Sequence, residues 1–173
     1  KKLNLKIYNS LINKFLKKNS CKIIFEPGRS IIADTGILIS KIIYIKKNKN
    51  KNFVIIDAAM NDLLRPALYG ADHKVLPCVQ AQKIVSDSYD LVGPVCETGD
   101  WLAKSQEFPA TAGDLVAIMD TGAYGFVMAS NYNSKCLPAE VLINKKEYAI
   151  IRDKENIENI IQRDLLPYWL KIN

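Results

Sequence analysis

The chain has 173 residues, 49% of them hydrophobic and 24% charged, the balance of an ordinary water-soluble globular protein. Its apolar runs are short and broken by Asp34, Lys41 or Asp57, which argues against a signal peptide and a bilayer-spanning helix and makes the cytoplasm the expected compartment. The formal net charge of +6 gathers in the N-terminal segment and in Lys46–Lys51, and the latter lacks the interleaved aromatics of a base-stacking surface, so neither nucleic acid nor membrane is an expected partner.

Residues 1–18 place Leu5, Tyr8, Leu11, Ile12, Phe15 and Leu16 at helical spacing among lysines and asparagines, which predicts an amphipathic helix with a stripe to bury. A transit peptide would favour Arg over Lys, and would not lead directly into the apolar run Cys21–Phe25. That run reads as a strand ending on Glu26-Pro27-Gly28-Arg29. Helix then strand, with charged groups at the strand's C-terminal end, has the form of one unit of a β/α barrel. A complete barrel needs about 250 residues, so only about one unit fits before residue 30. The opening Lys1, in place of an initiator Met, accordingly reads as a cut.

Beyond Ser30 the pattern turns to strands at Gly36–Ile45, Phe53–Asp57, His73–Gln80, Leu115–Met119 and Glu140–Ile143, divided by Gly, Pro and Asn clusters. A short helix is expected over Asn61–Leu68. Another follows Asp153 as its N-cap, with Ile157, Ile160 and Ile161 on one face. The expected fold is mostly β with some α. Residues 1–34 form the final helix and strand of a TIM-type barrel, and residues 35–173 a C-terminal β-barrel or sandwich domain with short helices.

The four cysteines, Cys21, Cys78, Cys96 and Cys136, form no C-x-x-C pair, and His73 is the single histidine, so no metal site is expected and the thiols read as free. Four segments carry polar groups that packing alone would not require. Glu26-Pro27-Gly28-Arg29 closes a strand, with Gly28 admitting a ligand close to the backbone. Arg65 and Tyr69 stand four apart, on one face if helical. Cys96 and Glu97 set a thiol beside a carboxylate in a glycine-containing turn, and Tyr124 lies between glycines after a strand. Singly, each has a plain structural reading: Arg29 and Arg65 as ion-pair partners, Tyr69 and Tyr124 as core aromatics, Cys96 as a small buried hydrophobe. Together they support a site for an anionic ligand, such as a carboxylate, read by arginines.

The blocks EPGRSI (26–31), MNDLLRPALYGA (60–71), YDLVGPVCETGDWLA (89–103), DTGAYGFVMASNYN (120–133) and PAEVLI (138–143) resemble, in order, the diaminopimelate decarboxylase family, pyridoxal-phosphate enzymes with a β/α barrel followed by a β-domain. CETGDW is the most specific of them. The resemblance implies that Glu26 pairs with the pyridine nitrogen of pyridoxal 5'-phosphate and keeps it protonated, so that the ring can act as an electron sink. It places Pro27, Gly28, Arg29 and Tyr124 at the cofactor, and Arg29, Arg65, Tyr69, Glu97 and Tyr124 at the substrate. Arg65 and Tyr69 would hold a carboxylate, Glu97 the distal ammonium of diaminopimelate, and Cys96 would return a proton to the α-carbon. Trp101 would be scaffold.

In this family the Cys-Glu segment enters the partner subunit's site, which implies a homodimer with shared active sites. The implied activity is decarboxylation of meso-2,6-diaminopimelate to L-lysine and carbon dioxide in lysine biosynthesis. An ornithine- or arginine-type decarboxylase and a non-catalytic dimerisation remnant are the alternatives. The segment Lys135-Cys136-Leu137 departs from the family's more basic, proline-containing stretch. No lysine stands in the context of the family's Schiff-base lysine, so this chain alone is expected to be inactive.

Overall fold

The computed structural model describes residues 4–79 and 87–170. Helix α1 spans Leu5–Lys18. The Asn4 carboxamide oxygen accepts the N–H groups of Lys6 and Ile7 at 3.1 and 3.2 Å, and Lys17 and Lys18 sit at the end that favours cations. The expected apolar stripe is present, but none of it is buried: Leu5, Leu11 and Phe15 are at least half exposed. Tyr8 meets Phe25 with ring centroids 5.6 Å apart.

The strand expected at Cys21–Phe25 is not formed. Its apolar composition suits a strand, yet a strand exists only through ladder bonds to a neighbour, and none pairs with it among the described residues.

Six strands build one sheet: β1 Leu38–Lys47, β2 Asn52–Ile56, β3 Val75–Pro77, β4 Ser88–Val92, β5 Trp101–Glu107 and β6 Leu115–Ile118. Their order is β3-β6-β1-β2-β4-β5, and every pair is antiparallel except β2 with β4. The sheet curls until its edges meet, and the Gln106 side-chain oxygen on β5 accepts the Val75 N–H of β3 at 3.2 Å. A nearly closed barrel results, with one side chain standing in for a ladder bond. Its interior holds Ile42, Val54, Ile56, Leu63, Leu91, Leu102, Val116 and Ile118, each at most 1% exposed. The architecture is mostly β with some helix, as the pattern predicts.

The β1, β2 and β6 expectations agree with the structure to within two residues at each end. That for β3 shortens to Val75–Pro77, and Gln80 lies outside the described residues. His73 is buried ahead of β3, and its Nδ1 donates to the Met119 carbonyl at 2.8 Å, a packed core histidine.

Strands β4 and β5 escape the sequence pattern because Asp90 lies buried in the middle of β4. There it serves the next strand: Oδ1 accepts the Ser105 N–H at 3.0 Å where β5 bulges at Ser105 (φ 51°), and Oδ2 pairs with Lys51 at 2.5 Å. The Lys/Asn turn between β1 and β2 is therefore tied to the barrel as well as solvated. Strands β7 (Glu140–Asn144) and β8 (Glu147–Arg152) form a separate hairpin. Its turn, Lys145-Lys146 with Lys145 at φ 59°, lacks the Asn-Gly or Asp-Gly signal that would reveal it.

Helix α2 covers Arg65–Tyr69 and not the longer Asn61–Leu68, because Asn61 and Asp62 are spent on the preceding turn: an Asp62 carboxylate oxygen accepts the Ala59 N–H at 2.8 Å. Pro66 in its first turn and Gly70 at φ 62° fix its ends. Helix α3, Ile157–Ile161, is capped by Asn156 and not by Asp153. Asn156 and Asn159 exchange side-chain-to-backbone bonds at 2.9 Å each way, a closed pair that Asp153 is too far upstream to make.

Candidate functional site

Two segments far apart in sequence meet through glycines. The Gly36 carbonyl accepts the Thr121 N–H at 2.9 Å and the Ala33 carbonyl the Gly122 N–H at 3.0 Å. The backbones approach so closely that a Cβ on Gly122 would fall 2.1 Å from the Ile32 oxygen. The turn after β6 is thereby pressed onto the segment that follows Glu26-Pro27-Gly28-Arg29. Tyr124, held at φ 59°, points its hydroxyl at Gly28, 3.6 Å from where a Cβ would be.

The Arg65 guanidinium lies 5.7 Å from the Tyr69 ring and 5.9 Å from the Tyr124 ring, and its Nε is buried without a partner. A cation flanked by two phenols, with a donor unspent, suits an anionic oxygen. Gly28, Arg65, Tyr69 and Tyr124 thus converge. Glu26 and Arg29 are exposed beside them, with Arg29 opening a single 3-10 turn.

Cys96 and Glu97 lie elsewhere. Their loop runs from Gly93 to Asp100, and its Gly99 faces Ala67 and Met60, each 3.9 Å from where a Cβ on that glycine would lie. At about 100° per residue, Ala67 faces roughly opposite Arg65 and Tyr69 on α2. One helix therefore carries the arginine–phenol cluster on one side and the thiol–carboxylate loop on the other. Cys96 and Glu97 are both exposed.

Asp100 anchors the loop. It is buried, and its two carboxylate oxygens accept the N–H groups of Met60 and Val95, each at 2.7 Å. Burial pushes its carboxyl above the ordinary aspartate range, while those two donors pull it back. Buried Asn61, beside Met60, secures a third segment: its side-chain amide donates to the carbonyls of Ser130 and Tyr132 at 3.1 and 2.6 Å. From there the Tyr132 hydroxyl donates to Glu97 at 3.3 Å. That carboxylate raises the Tyr132 phenol above its usual range, chiefly through the hydrogen bond. Lys135, in the segment without an expected role, pairs with Asp62 at 2.9 Å and ties the same turn.

Asp62, Asp100 and Tyr132 carry no expected role although they lie inside the quoted blocks, and Lys135 gains one in the segment that departs from the family. Trp101, expected as scaffold, opens β5 half-buried, with the Lys104 ammonium 3.7 Å from its ring centre. All four cysteines are free. Among the described residues no group of three His, Cys, Asp or Glu side chains could hold a metal, and no helix is long and apolar enough to cross a membrane.

Residues 8–122 match the model of the C-terminal sheet domain of pyridoxal-dependent decarboxylases, and the chain belongs to that family. Within it, the chain is 46% identical over 171 residues to the diaminopimelate decarboxylase of Zymomonas mobilis, covering 96% of this chain and 39% of that one. The crystal structure of diaminopimelate decarboxylase from Helicobacter pylori complexed with L-lysine superposes with a TM-score of 0.82 at 40% identity, over 93% of this chain and 40% of that one. The arginine decarboxylase of Paramecium bursaria Chlorella virus shares the fold, at 18% identity and a TM-score of 0.61 over 72% of this chain and 35% of that one. The chain thus spans about two fifths of the length of the diaminopimelate decarboxylases it matches.

Proposed function

We propose that this chain is the C-terminal part of a cytoplasmic pyridoxal-phosphate enzyme that decarboxylates meso-2,6-diaminopimelate to L-lysine, working as a homodimer in which a β/α barrel precedes these residues. The observation that carries it is the cluster of Arg65, Tyr69 and Tyr124 around a buried, unspent Nε. A diamino-dicarboxylate keeps one carboxylate while losing the other, and this cluster supplies the cation and hydroxyls to hold the one that stays.

The residues present fit one side of pyridoxal phosphate. Gly28, with the Tyr124 hydroxyl 3.6 Å from where its Cβ would be, would lie against the cofactor, and Glu26 is the carboxylate that would face its pyridine nitrogen. When bound, the cofactor supplies the electron sink for the departing carboxylate's bonding electrons. Arg29 would sit at the cofactor–substrate boundary. From the opposite side of α2, Cys96 and Glu97 would serve the partner subunit's site, the thiol delivering a proton to the α-carbon and the carboxylate receiving the distal ammonium. Residues 1–34 would belong to the barrel, with α1's exposed stripe and the unpaired Cys21–Phe25 run completed by the rest of it.

Steady-state assay of the complete enzyme tests this. Diaminopimelate should exceed ornithine and arginine in kcat/KM, and Cys96→Ala should keep cofactor binding while turnover falls about a hundredfold or more. A preference for ornithine or arginine would overturn the substrate, and loss of cofactor binding in Cys96→Ala would make the cysteine structural.

A further inference from the structure

We propose that Tyr132 is a positioning residue for Glu97, holding its carboxylate in the orientation that favours substrates with a distal ammonium. The proposal rests on the reading of Glu97 as the ammonium receptor. An exposed glutamate on a loop samples several rotamers, and ordering it at the moment of binding costs affinity. Here each oxygen already has a donor. The Thr98 N–H reaches Oε1 at 2.9 Å, and the Tyr132 hydroxyl reaches Oε2 at 3.3 Å. A carboxylate has about four lone-pair sites, so acceptor capacity remains for an ammonium.

Tyr132 is not a chance neighbour. Asn61 fixes its backbone, taking the Ser130 and Tyr132 carbonyls through one side-chain amide while the Asn61 carbonyl accepts the Ser130 N–H at 3.1 Å. Asp100 fixes the Glu97 loop to Met60, the adjacent residue. Donor and acceptor thus hang from the same dipeptide, Met60-Asn61. They border a pocket of about 220 Å³ lined by Met60, Asn61, Leu64, Glu97, Ser130 and Tyr132. Tyr132 is 49% exposed, so packing alone does not account for its placement. The raised phenol keeps its proton at neutral pH, as a donor must.

The experiment compares the complete enzyme with Tyr132→Phe and Glu97→Gln on diaminopimelate and on 2-aminopimelate, the same dicarboxylate without the distal amino group. Tyr132→Phe should shrink the preference for diaminopimelate about fivefold to tenfold, with the loss falling on KM more than on kcat. Glu97→Gln should abolish most of that preference. If Glu97→Gln does so and Tyr132→Phe leaves it intact, the positioning role is wrong. If Glu97→Gln leaves it intact, the ammonium-receptor reading fails and takes the proposal with it.

A second measurement needs no turnover. The 13Cζ titration of Tyr132 in the complete enzyme should move to lower pH in Glu97→Gln. An unmoved titration would show that the two side chains do not interact and would overturn the proposal.

Discussion

Asp100→Asn removes a charge and almost no volume from the point where the Cys96–Glu97 loop is fastened. In the parent the two carboxylate oxygens each take a backbone N–H at 2.7 Å, from Met60 and from Val95. Asparagine keeps one acceptor, but its NH2 then faces the other N–H, and that orphaned donor costs about 1–3 kcal/mol. The surviving bond, no longer charge-assisted, loses about 1 kcal/mol more. Relief from burying an ionised carboxyl offsets part of this, leaving a net loss of roughly 2 kcal/mol. For a chain of this size each kcal/mol moves the midpoint about 2–4 °C, so thermal unfolding followed by circular dichroism should show a drop of roughly 4–8 °C near neutral pH.

The pH dependence has a definite sign. The folded carboxyl titrates above its unfolded value, so the folded state holds the proton more tightly. Asp100 therefore favours folding most in acid, and that contribution declines as pH rises through the window above about 3.9. Asparagine does not titrate, so the gap between parent and variant should widen towards about pH 4. A variant melting within about 1 °C of the parent, or a gap that closes in acid, would refute the reasoning.

Gly122→Ala places a Cβ 2.1 Å from the Ile32 oxygen and 2.9 Å from the Gly36 nitrogen, both backbone atoms. The urea midpoint should fall by an amount equivalent to about 3 kcal/mol with an unchanged m-value. Glu155 accepts the Leu137 N–H at 3.0 Å, together with donors from Asn131 and Arg163, and these hold its carboxyl below the usual glutamate range. Its contribution is present at neutral pH and lost as pH falls through the depressed folded value. Glu155→Gln should therefore be less stable than the parent near pH 7, with denaturation curves that converge as pH falls below the ordinary glutamate range.

The sequence pattern is legible wherever a strand alternates without a buried charge. Strands β1, β2 and β6 are visible because Ile42, Val54, Ile56, Val116 and Ile118 form apolar runs that face the interior. Strand β4 is hidden by Asp90, whose polarity argues for a loop until its two partners, Ser105 and Lys51, are seen. The Cys21–Phe25 run shows the opposite failure: composition suits a strand, but a ladder needs a neighbour that composition does not report.

For the site, the motif blocks identified Arg65, Tyr69 and Tyr124, which the fold brings together. They gave no sign that Ala67 turns the Cys96–Glu97 loop to the far side of the same helix. Asp100 and Asn61 were equally silent, because a polar residue that binds backbone amides and carbonyls has no sequence signature apart from its block.

That division across α2 has a consequence for the proposed dimer. If each site is completed by a neighbour's loop, activity belongs to the pair and not to the chain. Specific activity then falls on dilution below the dimer's dissociation constant. Two chains inactive for different reasons, one altered at Arg65 and one at Cys96, regain a working site when mixed. Selection on either residue is then exerted through a second copy of the gene product, so the two faces of α2 are inherited together and tested apart.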